Sequence, residues 1–129
     1  METTMKALQI MEPNNPHWID VPIPEPGPQQ VLVKVAAITT CPHWDLHILS
    51  GEPMFPGTPN GYPYMLGQPG HEMTGEVVAV GPDVTDFAVG DHVVAWRDSS
   101  RTDQGGYAPY VPFYVEFLLK VPSDVPPAK

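Results

Sequence analysis

A mainly β fold is what this sequence predicts, on three observations. The 129 residues include 18 prolines and 11 glycines spread along the chain, which leaves little room for long helices. Val31, Val33 and Val35 alternate with Leu32, Lys34 and Ala36, the period of two that marks a strand. Two further β-branched runs, Gly75 to Gly81 and Gly90 to Trp96, are bounded by glycine. Leu, Ile, Val and Phe make up about a quarter of the chain, above the roughly 20% below which charged chains stay unfolded. The length suits a single domain of roughly 100–200 residues.

The elements follow in order. Lys6 to Ile10 reads as a short strand, and Pro22 to Pro28 as an extended connector ending in a turn. The alternation around Val31 to Ala36 is the clearest strand. Pro42 to Ser50 reads as a short helix, opened by Pro42 and closed by Gly51 at the usual C-terminal glycine position. Glu52 to Gly70 carries prolines at 53, 56, 59, 63 and 69 and glycines at 57, 61, 67 and 70, the composition of a long irregular loop. Loops of that length are commonly functional. The two glycine-bounded strands are joined by the turn-forming run Pro82 to Asp86. Tyr107 to Val111 and Phe113 to Val121 read as two last strands, and Pro122 to Lys129 as a departing linker.

Charge and composition exclude several functions. With 15 acidic residues against 6 basic ones the net charge is −9, the wrong sign for binding phosphates, so nucleic acid is not an expected partner. One cysteine, Cys41, permits no internal disulfide. The chain shows neither a signal peptide nor an apolar run of the roughly 18 residues a membrane span needs, so a cytoplasmic protein with no membrane partner is expected.

The side chains suited to chemistry bracket the long loop: Cys41, His43, Asp45 and His47 before it, His71 and Glu72 after it. Thiolate and imidazole suit zinc, and a carboxylate beside a ligating imidazole is its usual support. An inert core cysteine and surface histidines explain the same residues, and spacing alone leaves both readings open. Trp44, Phe55, Tyr62 and Tyr64 either line a substrate pocket or pack the loop. His17 and His92 are expected to be plain surface or turn histidines.

The pattern sharpens when it is taken whole. Gln68-Pro69-Gly70-His71-Glu72-Met73-Thr74-Gly75-Glu76-Val77-Val78-Ala79-Val80-Gly81 runs into Val84-Thr85-Asp86-Phe87-Ala88-Val89-Gly90-Asp91-His92-Val93-Val94. This closely resembles the N-terminal catalytic domain of the medium-chain dehydrogenase/reductase family, and the likeness extends from Met5-Lys6-Ala7 to Gly105-Gly106-Tyr107-Ala108 and Leu119-Lys120-Val121-Pro122. The resemblance implies a GroES-like, partly open β-barrel with one or two short helices and long Pro/Gly-rich loops, over residues 1–121, with 122–129 leading towards a nucleotide-binding domain. It implies an alcohol dehydrogenase-like oxidoreductase that moves hydride between an alcohol or carbonyl substrate and NAD(P). Cys41, His71 and Glu72 would then face a catalytic zinc. Asp45 would hydrogen-bond His71, and His47 would pass the alcohol proton towards solvent.

Four departures qualify that likeness. Cys41 stands four positions before Asp45 where the zinc enzymes usually have three, so that Pro42 takes the cysteine's place if Asp45 is held in register and His43 becomes a rival ligand. Trp44 fills the slot where a Ser or Thr normally starts the proton relay, leaving His43 or water to substitute. No cysteine lies between Trp96 and Gln104, where many alcohol dehydrogenases place four, so no structural zinc is expected. Finally, no G-x-G-x-x-G follows a strand, so NAD(P) needs a domain beyond these residues and the chain alone is expected to be inactive. Two other readings stay open: a zinc-free quinone or enoyl reductase of the same family, and a stand-alone GroES-like module that binds a protein or forms a homo-oligomer.

Overall fold

The computed structural model describes residues 2–96 and 104–126. Seven strands, one α-helix and one 3₁₀ turn follow in the order β1 (Thr4–Glu12), β2 (Asn15–Pro22), β3 (Gln30–Ile38), α1 (Pro42–Ser50), β4 (Glu72–Val80), β5 (His92–Trp96), β6 (Tyr110–Tyr114), the 3₁₀ turn Val115–Phe117, and β7 (Leu118–Lys120). Strands β1 and β2 form a hairpin, and the other five form an antiparallel sheet ordered β6-β3-β4-β5-β7. The sheets do not close on one another, so the mainly β, partly open GroES-like arrangement is the one observed.

The alternation at Val31 to Val35 holds in part, since Leu32, between the two buried valines, is buried as well. Val31 and Val33 point into a core shared with Met73, Val77, Val93, Val111 and Phe113, while Lys34 points out. The antiparallel registers Val33↔Val77 and Val31↔Phe113 bring these side chains into one layer. Burial of Phe113, Val31, Val77, Val93 and Val111 is complete. A smaller cluster of Ile10, Ile48 and Tyr64 seats α1 and the end of the long loop on β1.

Three sequence expectations need correction. Asn15–Pro22 is a strand that the alternation did not reveal, because nearly all of it is exposed and no buried face imposes a pattern. The first strand runs from Thr4 to Glu12, beyond the expected Lys6 to Ile10 at both ends, drawn out by its pairing with β2. The last two strands divide at Val115–Phe117, not at Pro112. Pro112 lies inside β6, which is tolerated because β6 is the edge of its sheet and a strand edge can lack a donor. Tyr107 and Ala108 precede that strand. The long loop is confirmed: 51–71 contain neither helix nor strand.

The loop's end is pinned by a backbone-to-backbone approach that only glycine permits. A Cβ added at Gly67, whose φ is +75°, would lie 2.2 Å from the carbonyl oxygen of Gly105. Three hydrogen bonds sew the two segments together: Gly105 N–H to Leu66 O at 2.8 Å, Tyr107 N–H to Gly67 O at 3.0 Å, and Gly106 N–H to Gly70 O at 2.9 Å. Gly67→Ala therefore combines a left-handed backbone with a hard clash and is expected to cost about 3 kcal/mol. Urea unfolding of the whole protein checks this, and an unchanged midpoint would show that the contact constrains nothing.

Candidate functional site

Helix α1 begins at Cys41, whose extended backbone makes it the N-cap, and Pro42 occupies the first turn, where a missing N–H is harmless. Asp45 sits in that turn, near the helix's positive end. Its Oδ2 accepts the Cys41 N–H at 3.3 Å and the Tyr107 hydroxyl at 2.8 Å. Its Oδ1 is buried with no hydrogen-bond partner among the described residues. Burial, first, and then the hydrogen bond to Asp45 push the Tyr107 phenol up to about 12, with the negative charges of Asp45 and Cys41 adding to it.

His71 and Glu72 stand at the junction of loop and β4, Glu72 being the strand's first residue. His71 Nδ1 is 3.0 Å from the carbonyl oxygen of Pro69. A carbonyl only accepts, so Nδ1 carries a proton. Nε2 lies 3.9 Å from Glu72 Oε1, and Glu72 Oε2 in turn accepts the Thr39 hydroxyl at 2.8 Å. The Trp44 ring packs at right angles to His71, with centroids 6.5 Å apart. Trp44 Nε1 is buried and without a hydrogen-bond partner among the described residues.

One expected contact is replaced by others. Asp45 does not bond His71: its Oδ2 is taken by Tyr107 and the Cys41 N–H, and the Pro69 carbonyl fixes the proton on the imidazole instead. His47 bonds through Nδ1 to the carbonyl of Glu52 at 2.8 Å and is edge-on to His43. Tyr107 is the site residue that spacing missed. Its signal was present in Gly105-Gly106-Tyr107, where two glycines allow the backbone to approach the loop and deliver the phenol to Asp45.

The donor types suit zinc: an imidazole with its tautomer preset by a carbonyl, a carboxylate facing it, and a thiol at the helix mouth. Among the described residues, however, no three of His, Cys, Asp and Glu gather closely enough to hold a metal. His71 and Glu72 are paired, and Cys41 is held apart from them at the N-cap. Of the aromatic residues considered for a pocket, Tyr62 and Tyr64 pack against α1 and β1, whereas Phe55 is 64% exposed. His17 is on exposed β2, and His92 bonds the Val125 carbonyl at the start of β5. The cysteine-free stretch expected to lack a structural zinc lies, from 97 to 103, outside the described residues. No helix among the described residues is long and apolar enough to cross a membrane.

Tyr107 yields a pH prediction. Its proton is held more tightly in the folded chain than at the ordinary value of 10.0, so the folded state binds more protons between about 10 and about 12. Stability from this group is complete below pH about 10 and is lost as pH rises through about 12. Tyr107→Phe is expected to remove that alkaline loss and, by stripping a donor from a part-buried carboxylate, to cost about 1 kcal/mol at neutral pH. Unfolding midpoints across the alkaline range decide it; identical profiles for both proteins would contradict the assignment.

Comparison with known proteins agrees with this geometry. The alcohol dehydrogenase GroES-like domain family matches residues 27–123. The L-threonine 3-dehydrogenase of Symbiobacterium thermophilum is 44% identical over 96 residues, which is 74% of this chain and 26% of that enzyme. The solved structure of an alcohol dehydrogenase superfamily protein from Novosphingobium aromaticivorans superposes with a TM-score of 0.79 at 32% identity, covering 95% of this chain and 36% of that one. A structure from Sinorhizobium meliloti 1021, described as a zinc-binding dehydrogenase bound to NADP, gives 0.78 at 29% identity over 98% of this chain and 41% of that one. The chain thus spans about a quarter of the length of the curated dehydrogenase it matches. From its strand order, its Gly-His-Glu motif at the head of β4 and its match over 27–123, the chain belongs to the alcohol dehydrogenase GroES-like domain family, the N-terminal part of medium-chain dehydrogenases/reductases.

Proposed function

We propose that this chain is the substrate-side domain of a zinc-dependent, NAD(P)-linked oxidoreductase acting on an alcohol or carbonyl compound. In this reading residues 1–121 form that domain and 122–129 lead towards a nucleotide-binding domain. The observation that carries the proposal is His71, with Nδ1 committed to the Pro69 carbonyl and Nε2 facing Glu72 Oε1 at 3.9 Å. An imidazole so arranged is a preformed metal ligand.

His71 and Glu72 are the residues that would hold zinc, and Cys41 would join them only by a movement of the mouth of α1, since the three do not gather as they stand. When bound, zinc supplies a Lewis acid for the substrate oxygen and the nicotinamide supplies or takes the hydride. The chain's own contribution is positional. Asp45, buried on one oxygen and bonded to Tyr107 and the Cys41 N–H on the other, fixes the helix mouth where Cys41 sits. Trp44 lies against the His71 ring and excludes water from it. His47, whose Nε2 is left bare by the bond from Nδ1 to Glu52, can hold the alcohol proton and release it to solvent. Glu72 also lines an apolar groove of about 520 Å³ with Ile38, Met73 and Trp96, a size and character suited to a small organic substrate.

A second reading, a zinc-free reductase of activated alkenes or quinones, draws support from the separation of Cys41 from His71 and Glu72. Metal analysis and alcohol oxidation by the whole protein separate the two. The zinc reading expects zinc in the whole protein, and for His71→Asn loss of that zinc together with a fall in kcat of about a hundredfold or more. Full alkene or quinone reduction by a zinc-free protein, with His71→Asn as active as wild type, would establish the second reading and end the first.

A further inference from the structure

Helix α1 has two chemically distinct faces. Trp44, Asp45 and Ile48 turn inward, towards His71, Tyr107 and Tyr64 respectively. His43, Leu46, His47 and Ser50 share the opposite face and line a cleft of about 230 Å³ with Asn14 and Glu52. Neither Cys41, His71 nor Glu72 borders it.

Within this cleft His43 and His47 are one helical turn apart, the spacing that puts two side chains side by side. Their ring centroids are 5.1 Å apart and their planes at 83°. An imidazole nitrogen sits about 2.1 Å from a zinc-sized ion, which puts each ring centroid roughly 3.2 Å from it. Two rings 5.1 Å apart then subtend about 105° at a shared ion, close to the tetrahedral angle of about 109°. His47 already has the support a ligating imidazole needs, since its Nδ1–H donates to the Glu52 carbonyl at 2.8 Å and Nε2 is left free. His43 is exposed, so its ring turns about χ2 at little cost. The protein's net charge of −9 favours a cation over an anion at either ring.

We propose that the outward face of α1 is a second cation site, in which His43 and His47 chelate a borderline divalent transition metal and water completes its coordination. Two imidazoles suit zinc, nickel or copper(II), and exclude calcium and magnesium, which require oxygen ligands. The site uses none of Cys41, His71 and Glu72, but it takes the His47 nitrogen that the proton path above would use, so a cation here and that path are alternative uses of one atom. Equilibrium dialysis of the whole protein against zinc, for wild type, His43→Gln and His71→Asn, tests it. The expected result is a weakly held zinc on wild type that His43→Gln loosens about tenfold or more and His71→Asn leaves intact. His43 is solvent-facing, so its replacement leaves the fold unchanged by circular dichroism. The proposal is overturned by absence of weak uptake on wild type, by weak uptake that His43→Gln leaves unaltered, or by weak uptake that disappears in His71→Asn.

Discussion

The close passage of Gly67 over Gly105 is the constraint on which the site depends. Without a side chain at either position, the end of a long proline-rich loop lies directly on the segment before β6, and hydrogen bonds from Gly105, Gly106 and Tyr107 hold it there. One consequence is covalent: once Gly67 is fixed, His71 and Glu72 are carried to the head of β4 only a few residues later. The other is spatial, because the same ladder points the Tyr107 hydroxyl at Asp45 on α1. Loop, helix and sheet therefore meet at a single place, although the chain between Asp45 and Tyr107 runs through two core strands. Tyr64 N–H to Ile10 O, Gly67 N–H to Leu8 O and Gln9 Nε2–H to Tyr64 O tie the same assembly to β1.

Much of the fold was legible because burial leaves a period. The alternation around Val31 and Val33 marks β3, and β-branched runs bounded by glycine mark β4 and β5, whose Val77 and Val93 face the core. Strand β2 carries no such mark, because hairpin pairing and not burial holds it, and its exposed residues are free to be Asn, His, Trp or Asp. Pro112 misled in the opposite direction: it signals a break, yet an edge strand accommodates it without losing a needed donor. The short helix was readable from its ends alone, Pro42 at the start and left-handed Gly51 at the close.

At the site, residue types were legible and partners were not. His71 and Glu72 come from a contiguous motif, and adjacency in sequence becomes adjacency in space at the head of a strand. The partner of Asp45 is set by a contact between residues 62 positions apart, which no local pattern encodes. The tautomer of His71 depends on which carbonyl the loop turns inward, and that carbonyl is Pro69, two residues away, where the sequence had pointed to Asp45. The four-residue step from Cys41 to Asp45 has a structural counterpart: Cys41 is fixed as the N-cap by its N–H to Asp45, and its thiol stays out of a three-donor cluster.

The central proposal is that His71 and Glu72 hold a zinc and that the Cys41 thiolate joins them when it binds. X-ray absorption at the zinc edge of the whole protein reads that shell directly. The account predicts one sulfur at about 2.3 Å beside nitrogen and oxygen at about 2.0–2.2 Å, with the sulfur contribution abolished in Cys41→Ser. A shell of nitrogen and oxygen only, unchanged by Cys41→Ser, would contradict it.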